Sequence, residues 1–215
     1  MFNFRKKKKT SPGLKRIYDK ILSLINNEDT QNEMAPVQIR DKIINGIDCD
    51  SIPYRSGKFG YEISNPIPVN GVIGEEIYLS NLIAKNGERI MFHRLGSTEK
   101  IDIYETVTSD GKIWDILFLD MYHPRKSRIS PEGYQLLNNN CFFTGINIFC
   151  DKFPSNLYDL IFERTSIQFG VPLPLKDIKA LLENMRYSRP NYHIQKIKNL
   201  NIESLNLKYR NELDR

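Results

Sequence analysis

The sequence predicts an α+β protein with an antiparallel meander sheet of four to five strands and flanking N- and C-terminal helices. Two turn dipeptides, Asn86-Gly87 and Asp110-Gly111, each separate two runs rich in Ile, Phe, Tyr and Leu, which is the pattern of a β-hairpin. Near both ends of the chain, apolar residues recur at steps of three and four, which is the pattern of amphipathic helices. The chain has 215 residues and is 40% hydrophobic, so it is long enough to bury one substantial core.

The N-terminal region combines a basic arm with an amphipathic helix. The helix is predicted from apolar positions at steps of three and four: Leu14, Ile17, Tyr18, Ile21, Leu24 and Ile25. We expect this apolar stripe to pack on the body of the protein, although a basic arm leading into such a helix also fits an anionic membrane surface or a binding partner. The polar stretch 26–33 has no periodicity and is interpreted as a linker. Pro36 then begins a second, short helix.

The net charge of +5 is concentrated in the arm. Residues 1–20 contain eight basic side chains and one acidic side chain, whereas the remaining 195 residues contain 23 basic and 25 acidic side chains. A body that is close to neutral has no general attraction for a polyanion. Any affinity for nucleic acid or anionic lipid is therefore assigned to the basic residues of the arm: Arg5, Lys6, Lys7, Lys8 and Lys9.

The strands of the sheet are predicted from the two turns. The first turn pairs residues 76–84 with residues 88–95, and the second pairs residues 100–109 with residues 112–122, with a type I′ turn in each hairpin. The four strands then form an antiparallel meander, to which residues 141–150 are predicted to add a fifth strand.

The positions of the turns also predict the register of each hairpin. In the first hairpin, opposed residue numbers sum to 173, which places His93 opposite Ser80. In the second hairpin they sum to 221, which pairs Ile101 with Asp120. Both faces of the second hairpin are half apolar, so we expect helices or loops to cover each of them.

The last third of the chain is predicted to be helical. Residues 155–169 and 174–185 each carry apolar positions at helical spacing, and two prolines separate them. We divide the chain into three parts: a basic arm, helix and linker (1–33), an α+β core domain (34–170) and a C-terminal helical segment packed on the core (171–215).

The cysteines do not indicate a metal or redox site. The spacings of Cys49, Cys141 and Cys150 match no zinc-binding or redox pattern, so we expect reduced structural thiols, no metal and no cofactor. No apolar run approaches the roughly 20 residues that cross a bilayer, and the N-terminus lacks the apolar stretch of a signal peptide. A cytoplasmic protein without a transmembrane segment is therefore expected.

The candidate site is the stretch 118–134, where an apolar strand stops at Asp120 and several polar side chains follow. An imidazole beside a carboxylate can act as a general base, and neighbouring arginines can hold an anionic substrate. If the protein is an enzyme, its catalytic candidates are Asp120, His123 and His93, with Asp120 and His123 as the acid/base groups. The structural alternative is that Asp120 accepts hydrogen bonds from the backbone or from Arg128 and fixes the turn. Neither a GxSxG motif nor a Walker loop is present, so no motif identifies a reaction.

We interpret this stretch first as a docking loop. The protein would then be an intracellular interaction module that binds a macromolecular partner, most simply another protein, through the loop after the fourth strand. The partner- or anion-binding residues would be Tyr122, Arg125, Lys126, Arg128 and Tyr134, with Arg125 and Lys126 projecting into solvent. The alternative is an enzyme that acts on a phosphate-bearing or other anionic substrate. A nucleic-acid-binding accessory protein is the third interpretation.

Overall fold

The computed structural model describes residues 12–137, 142–175, 178–180 and 188–200. Its helices are α1 (Pro12–Ile25), α2 (Glu28–Met34), α3 (Val37–Ile44), α4 (Gly71–Asn81), α5 (Leu157–Phe169) and α6 (Asn191–Lys198). Its strands are β1 (Ile67–Pro68), β2 (Leu82–Ala84), β3 (Ile90–Thr98), β4 (Ile101–Thr108), β5 (Trp114–Asp120), β6 (Tyr134–Leu136) and β7 (Gly145–Ile146). The chain is therefore a mixed α+β protein, as predicted.

Five of these strands form one mixed sheet, in the order β1-β5-β4-β3-β7. The strands β3, β4 and β5 are consecutive antiparallel neighbours, but β1 runs parallel to β5 and β7 runs parallel to β3. The prediction of a purely antiparallel meander is therefore wrong at both edges. Each edge strand is only two residues long and joins the sheet from a distant part of the chain, so no local turn signal marks it.

The hairpin of β4 and β5 has the predicted register. Ile101 pairs with Asp120, and every further pair of the ladder follows the same sum of residue numbers. The turn differs from the predicted type I′, because Gly111 has a φ of 73° but Asp110 has no positive φ. The connection is longer than two residues and is closed by a hydrogen bond of 2.8 Å from the Gly111 amide to the Thr108 carbonyl. The position of the turn therefore predicted the register correctly although the predicted turn type was wrong.

Replacing Gly111 with valine is expected to lower the free energy of unfolding by about 1 kcal/mol or more. A β-branched side chain resists the φ of 73° that this turn requires. The urea midpoint measures the effect, and Gly111→Asn is the control because asparagine tolerates left-handed backbone conformations. Equal midpoints for the valine variant and the wild type would contradict the turn described here.

The first predicted hairpin is wrong, because residues 71–81 form helix α4. Most of this helix is buried: its buried residues are Gly71, Gly74, Glu75, Glu76, Ile77, Tyr78, Leu79 and Ser80. A helix that is covered on most sides has no single apolar stripe, so its sequence does not show the periodicity that separates a helix from a strand. The two apolar runs around Asn86-Gly87 therefore resemble the two strands of a hairpin, although most of the first run belongs to α4.

The Asn86-Gly87 turn itself is present. Gly87 has a φ of 87°, and its amide donates a hydrogen bond of 2.8 Å to the Ala84 carbonyl. The turn is followed by an isolated antiparallel bridge between Ile83 and Arg89, one residue out of the predicted register. The short strand β2 pairs instead with β6 in a separate two-stranded sheet.

The C-terminal elements follow the prediction in part. Helix α5 lies within the predicted helix 155–169 and confirms it. Of the predicted helix 174–185, residues 178–180 are helical. Residues 176–177 and 181–185 lie outside the described residues. Of the predicted strand 141–150, residues 145–146 form β7, and Cys141 lies outside the described residues.

Helix α1 packs on the body of the protein, as predicted. Ile21 and Ile25 are buried in an apolar cluster with Leu157 and Ile161 of α5. The inner side of the predicted apolar stripe is therefore covered by the protein itself. The basic residues 5–9 lie outside the described residues. None of the described helices is both long and apolar enough to span a membrane.

The predicted linker 26–33 is wrong, because most of it belongs to α2. The Asn27 side chain caps this helix by accepting a hydrogen bond of 2.9 Å from the Thr30 amide, and two acidic residues follow in the first turn. Gln31 and Asn32 are buried, so this polar segment packs on the protein despite its lack of apolar residues. The division of the chain into domains stays a prediction.

Candidate functional site

A cleft lies at the end of β5, where the predicted site begins. It consists of two adjoining cavities of about 450 and 440 Å³ that share Arg55, Lys100 and Asp120 in their walls. These volumes are typical of small-molecule sites, which occupy roughly 300 to 1,000 Å³. We refer to both cavities together as the β5 cleft, and its main polar lining consists of Lys42, Arg55, Lys100, Asp120, Tyr122 and His123.

Asp120 and His123 lie side by side in the β5 cleft. Asp120 is the last residue of β5, and its Oδ1 accepts a hydrogen bond of 3.1 Å from the Tyr122 amide as the chain leaves the sheet. This turn brings His123 Nε2 to 3.5 Å from Asp120 Oδ2. Both residues are nearly buried, with exposed fractions of 8% for Asp120 and 4% for His123. The structure thus brings together the two residues that the sequence predicts as acid/base groups.

The orientation of the His123 ring is determined by a backbone carbonyl. Nδ1 of His123 lies 2.7 Å from the Ile47 oxygen, and a carbonyl can only accept, so Nδ1 carries a hydrogen. Nε2 finds no hydrogen-bond partner among the described residues and has the Asp120 carboxylate as its charged neighbour. The pair can therefore give up or take up one proton, as a general acid or base does.

Cys49 lies close to the same histidine but does not form a nucleophilic pair with it. Its Sγ is 3.9 Å from Nδ1 of His123, the nitrogen that already donates to the Ile47 carbonyl. Burial raises the pKa of the Cys49 thiol, against the effect of Arg125, so the reactive thiolate is disfavoured. The cleft therefore offers acid/base chemistry rather than thiol chemistry.

Cations surround the Asp120–His123 pair. Lys42 on α3 lies with its Nζ 5.9 Å from the centre of the Tyr122 ring, and Arg55 and Lys100 line both cavities. None of these three cations forms an ion pair with a carboxylate in the described part of the chain. The three cations outnumber the lining carboxylates, which are those of Asp120 and Glu99, so the β5 cleft is weakly positive. No local sequence pattern marks these cations, because they come from three separate segments.

His93 does not belong to the β5 cleft, so the predicted cluster with Asp120 and His123 is wrong. Antiparallel pairing of β3 with β4 places His93 opposite Glu105, not opposite Ser80. Glu105 is four residues along β4 from the partner of Asp120, a separation of about 13 Å at the usual rise per residue. His93 therefore serves a different part of the fold.

His93 belongs to a buried network around Glu105. The Glu105 carboxylate accepts hydrogen bonds from His93 Nε2 (2.7 Å), His193 Nε2 (3.0 Å), Arg189 Nε (2.6 Å) and Arg189 Nη2 (2.9 Å). The Cys150 amide donates to His93 Nδ1 (3.0 Å), so Nε2 carries the His93 hydrogen. Burial raises the pKa of Glu105, but its hydrogen bonds outweigh burial and hold the pKa well below the usual range. The network attaches α6 and the residues before it to the sheet.

Ion pairs with acidic residues from earlier segments of the chain anchor the loop after β5. Arg125 bonds to Asp48 and, at 2.6 Å, to Asp50, and Lys126 Nζ lies 3.1 Å from Glu28 of α2. The exposed fractions of these side chains are 13% for Arg125 and 16% for Lys126. The prediction that both project into solvent is wrong, because acidic residues almost eighty or more positions earlier in the chain pair with them.

The other predicted anchors lie in different environments. Tyr122 is half-buried and lines the β5 cleft, and the Arg128 side chain is exposed. Tyr134 is buried, and its hydroxyl donates a hydrogen bond of 2.7 Å to Asp115. Of the five predicted binding residues, Tyr122 and Arg128 therefore remain the most accessible to a partner.

Replacing Arg125 with alanine is expected to lower the free energy of unfolding by about 1 kcal/mol, because it removes the ion pairs of this nearly buried side chain with the more exposed carboxylates of Asp48 and Asp50. The matched control is Arg128→Ala. There the backbone amide, not the side chain, donates to Asp50 (2.9 Å), and this hydrogen bond survives. Urea unfolding of both variants measures the difference, and equal midpoints would show that the Arg125 ion pairs do not contribute to stability.

Comparison with known proteins finds no family model, no curated protein and no solved structure that matches this chain. In the part of the chain that the structure describes, no group of three or more His, Cys, Asp or Glu side chains is arranged to hold a metal ion. The chemistry of the β5 cleft is therefore the main indication of function.

Proposed function

We propose that the protein is an enzyme that acts on a small anionic substrate bound in the β5 cleft, with Asp120 and His123 as its acid/base groups. The observation that carries this proposal is the 3.5 Å approach of His123 Nε2 to Asp120 Oδ2 in the wall of a cleft. Positioned acid/base groups of this kind contribute typically 10²- to 10⁴-fold to a reaction rate. The cations Lys42, Arg55 and Lys100 supply the attraction for a negatively charged substrate.

The proposed roles of the two residues differ. Asp120 lines both cavities and exchanges the proton with substrate or water, whereas His123 exchanges it with Asp120 through Nε2, which is buried beside that carboxylate, because Nδ1 is hydrogen-bonded to the Ile47 carbonyl. Asp120 also stabilises the imidazolium once Nε2 has taken up a proton. Ester hydrolysis is the simplest reaction that such a pair serves. The pair removes a proton from water, the water oxygen attacks the ester, and the departing oxygen takes the proton back.

Two isosteric variants test this proposal. Asp120→Asn keeps the oxygen that accepts from the Tyr122 amide, and His123→Asn keeps an amide hydrogen that can donate to the Ile47 carbonyl. The assay is hydrolysis of p-nitrophenyl phosphate, bis-p-nitrophenyl phosphate and p-nitrophenyl sulfate. Each variant is expected to lose about 100-fold or more of the wild-type turnover while its urea midpoint shows that it folds.

Asp41→Asn is the matched control, because Asp41 lies on α3 with an exposed side chain and is outside the cleft. It should keep the wild-type turnover. The proposal fails if the wild type neither binds nor hydrolyses any of the three esters, or if the Asp120 and His123 variants are as active as the control.

A second candidate function is the binding of a macromolecular partner beside the cleft. It is favoured by apolar side chains that stand exposed on and just after α3, with exposed fractions of 72% for Val37, 47% for Ile44 and 56% for Ile47. Interface anchors are often arginine or aromatic residues, and the exposed Arg128 and the half-buried Tyr122 would supply one of each. Affinity capture from the native host tests this candidate. Val37→Asp with Ile44→Asp should lose the captured partner, which His123→Asn should retain.

A further inference from the structure

The outward side of α1 combines positive charge with an apolar side chain. Arg16 and Ile17 lie four and three positions before Lys20, so the three residues share one side of the helix, and all three are exposed. Ile17 lies at the edge of the stripe whose members Ile21 and Ile25 are buried in the protein, yet its exposed fraction is 39%. Burial of Ile21 and Ile25 fixes which side of α1 the protein covers, and the side with Arg16, Ile17 and Lys20 stays accessible.

The basic arm continues this surface along the sequence. Residues 5–9 are five consecutive basic residues, and only two residues separate them from Pro12, the first residue of α1. Phe2 and Phe4 stand beside the basic run. The arm and the outward side of α1 therefore contain the same two components, which are cationic side chains and apolar side chains next to them.

The positive charge of this region is not neutralised within the described protein. Residues 1–20 contain eight basic side chains against one acidic side chain. The described members Lys15, Arg16 and Lys20 are exposed, and none of them forms an ion pair in the part of the chain that the structure describes. This concentration of charge favours an anionic partner.

Two observations favour a lipid surface over a nucleic acid. The positive charge ends with α1, because α2 begins with Glu28 and Asp29 and the 195 residues after position 20 contain 23 basic and 25 acidic side chains, so no basic track continues for a nucleic acid to follow. In addition, an aliphatic side chain such as Ile17 can neither pair with a phosphate nor stack on a base. At a membrane, by contrast, apolar side chains enter the interface while neighbouring cations contact anionic headgroups.

We infer that the basic arm and the outward side of α1 bind the surface of an anionic phospholipid membrane. This surface is separate from the β5 cleft, and the inference does not depend on the proposed function. A polybasic segment with a few apolar side chains gives reversible attachment, since neither component alone is a stable anchor. Residues 5–9, Arg16 and Lys20 would contact the headgroups, and Phe2, Phe4 and Ile17 would enter the interface.

Sedimentation of the full-length protein with lipid vesicles tests the electrostatic part of this inference. Phosphatidylcholine vesicles that contain about one third phosphatidylserine should bind the protein at least about 100-fold more tightly than pure phosphatidylcholine vesicles, and added salt should release it. At about fivefold per basic residue, a variant in which the four lysines of residues 6–9 are glutamine should bind about 100-fold or more weakly. Arg16→Gln with Lys20→Gln should cost about 10-fold or more.

The matched control is Lys85→Gln with Lys112→Gln, which removes two exposed lysines from the turns after β2 and β4. This control should bind the vesicles as the wild type does. Phe2→Ala with Phe4→Ala tests the apolar part and should weaken binding by about threefold or more while the charge stays the same.

A single-stranded DNA oligonucleotide is the competing probe. At equal concentrations of negative charge, it should leave most of the protein on the phosphatidylserine vesicles. The inference is overturned if the two kinds of vesicle bind equally well, or if the arm and α1 variants bind like the lysine control. It is also overturned if the oligonucleotide displaces the protein, which would assign the arm to nucleic acid, or if the phenylalanine variant binds like the wild type.

Discussion

Replacing Glu105 with alanine is expected to lower the free energy of unfolding by about 3 to 5 kcal/mol, the range that is typical when one member of a buried ion pair is removed. The Glu105 side chain is fully buried and accepts four hydrogen bonds from His93, His193 and Arg189. Without it, the guanidinium of Arg189 loses its carboxylate, and two buried imidazoles lose the acceptor of their Nε2 hydrogens. Because Arg189 and His193 lie at the C-terminal end of the described chain, this end should detach first. Urea unfolding measures the loss, and hydrogen exchange in α6 locates it.

The same substitution at Glu132 is the matched control for Glu105→Ala. Glu132 forms an exposed salt bridge with Lys58 (3.1 Å), and exposed ion pairs contribute little to stability. The urea midpoint of Glu132→Ala should therefore equal that of the wild type. A Glu105→Ala variant with the same midpoint as this control would show that the buried network does not stabilise the fold.

The contribution of Glu105 should also depend on pH in a defined direction. Its folded pKa lies well below the usual value of about 4.5, because its hydrogen bonds outweigh the effect of burial. A carboxyl group with a lowered pKa stabilises the folded state above its unfolded pKa, and this contribution is lost as the pH falls through the folded pKa. Below about pH 5 the difference in unfolding free energy between wild type and Glu105→Ala should therefore decrease as the pH falls. A difference that grew with acid would contradict the assignment.

Sequence patterns predicted the elements whose partners lie nearby in the chain. The register of β4 and β5 was predicted from the position of the Asp110-Gly111 turn that joins them. Asp120 and His123 were predicted as one acid/base pair because they are only three positions apart in the chain. Helix α4 was missed because it is buried on most sides, and α2 was missed because a capping asparagine, rather than an apolar stripe, defines it.

The parts that the sequence did not predict depend on distant contacts. The pairing of Arg125 with Asp48 and Asp50 requires that the segment before β1 folds back over the loop after β5, and no local pattern encodes this. The convergence of Arg55 and Lys100 on the cleft has the same origin. Glu105 carried a signal, because a carboxylate within a strand that is otherwise apolar on that face needs a buried partner. Its partner His93 lies on the neighbouring strand, but Arg189 and His193 lie more than eighty positions later.

Replacing Gly46 with alanine is expected to damage both the stability of the protein and the β5 cleft. A Cβ atom at this position would lie 2.1 Å from the Tyr122 carbonyl oxygen and 3.0 Å from the His123 Cα, and backbone atoms cannot rotate away as a side chain can. Overpacking of this kind costs about 1 to 3 kcal/mol. Because Gly46 directly precedes Ile47, whose carbonyl holds His123 Nδ1, the strain should also disturb the orientation of the imidazole.

The measurements for Gly46→Ala are the urea midpoint and the turnover of p-nitrophenyl phosphate, and both should fall. The control is Gly13→Ala in α1, where no heavy atom lies within 4 Å of the added Cβ and where alanine favours the helix. This control should be as stable as the wild type or slightly more stable, with unchanged turnover. A Gly46→Ala variant that resembled the control in stability would show that residues 46 and 122 do not pack together. The hydrogen bond that fixes the His123 tautomer would then lose its structural basis, and with it the assignment of Nε2 as the nitrogen that exchanges a proton with Asp120.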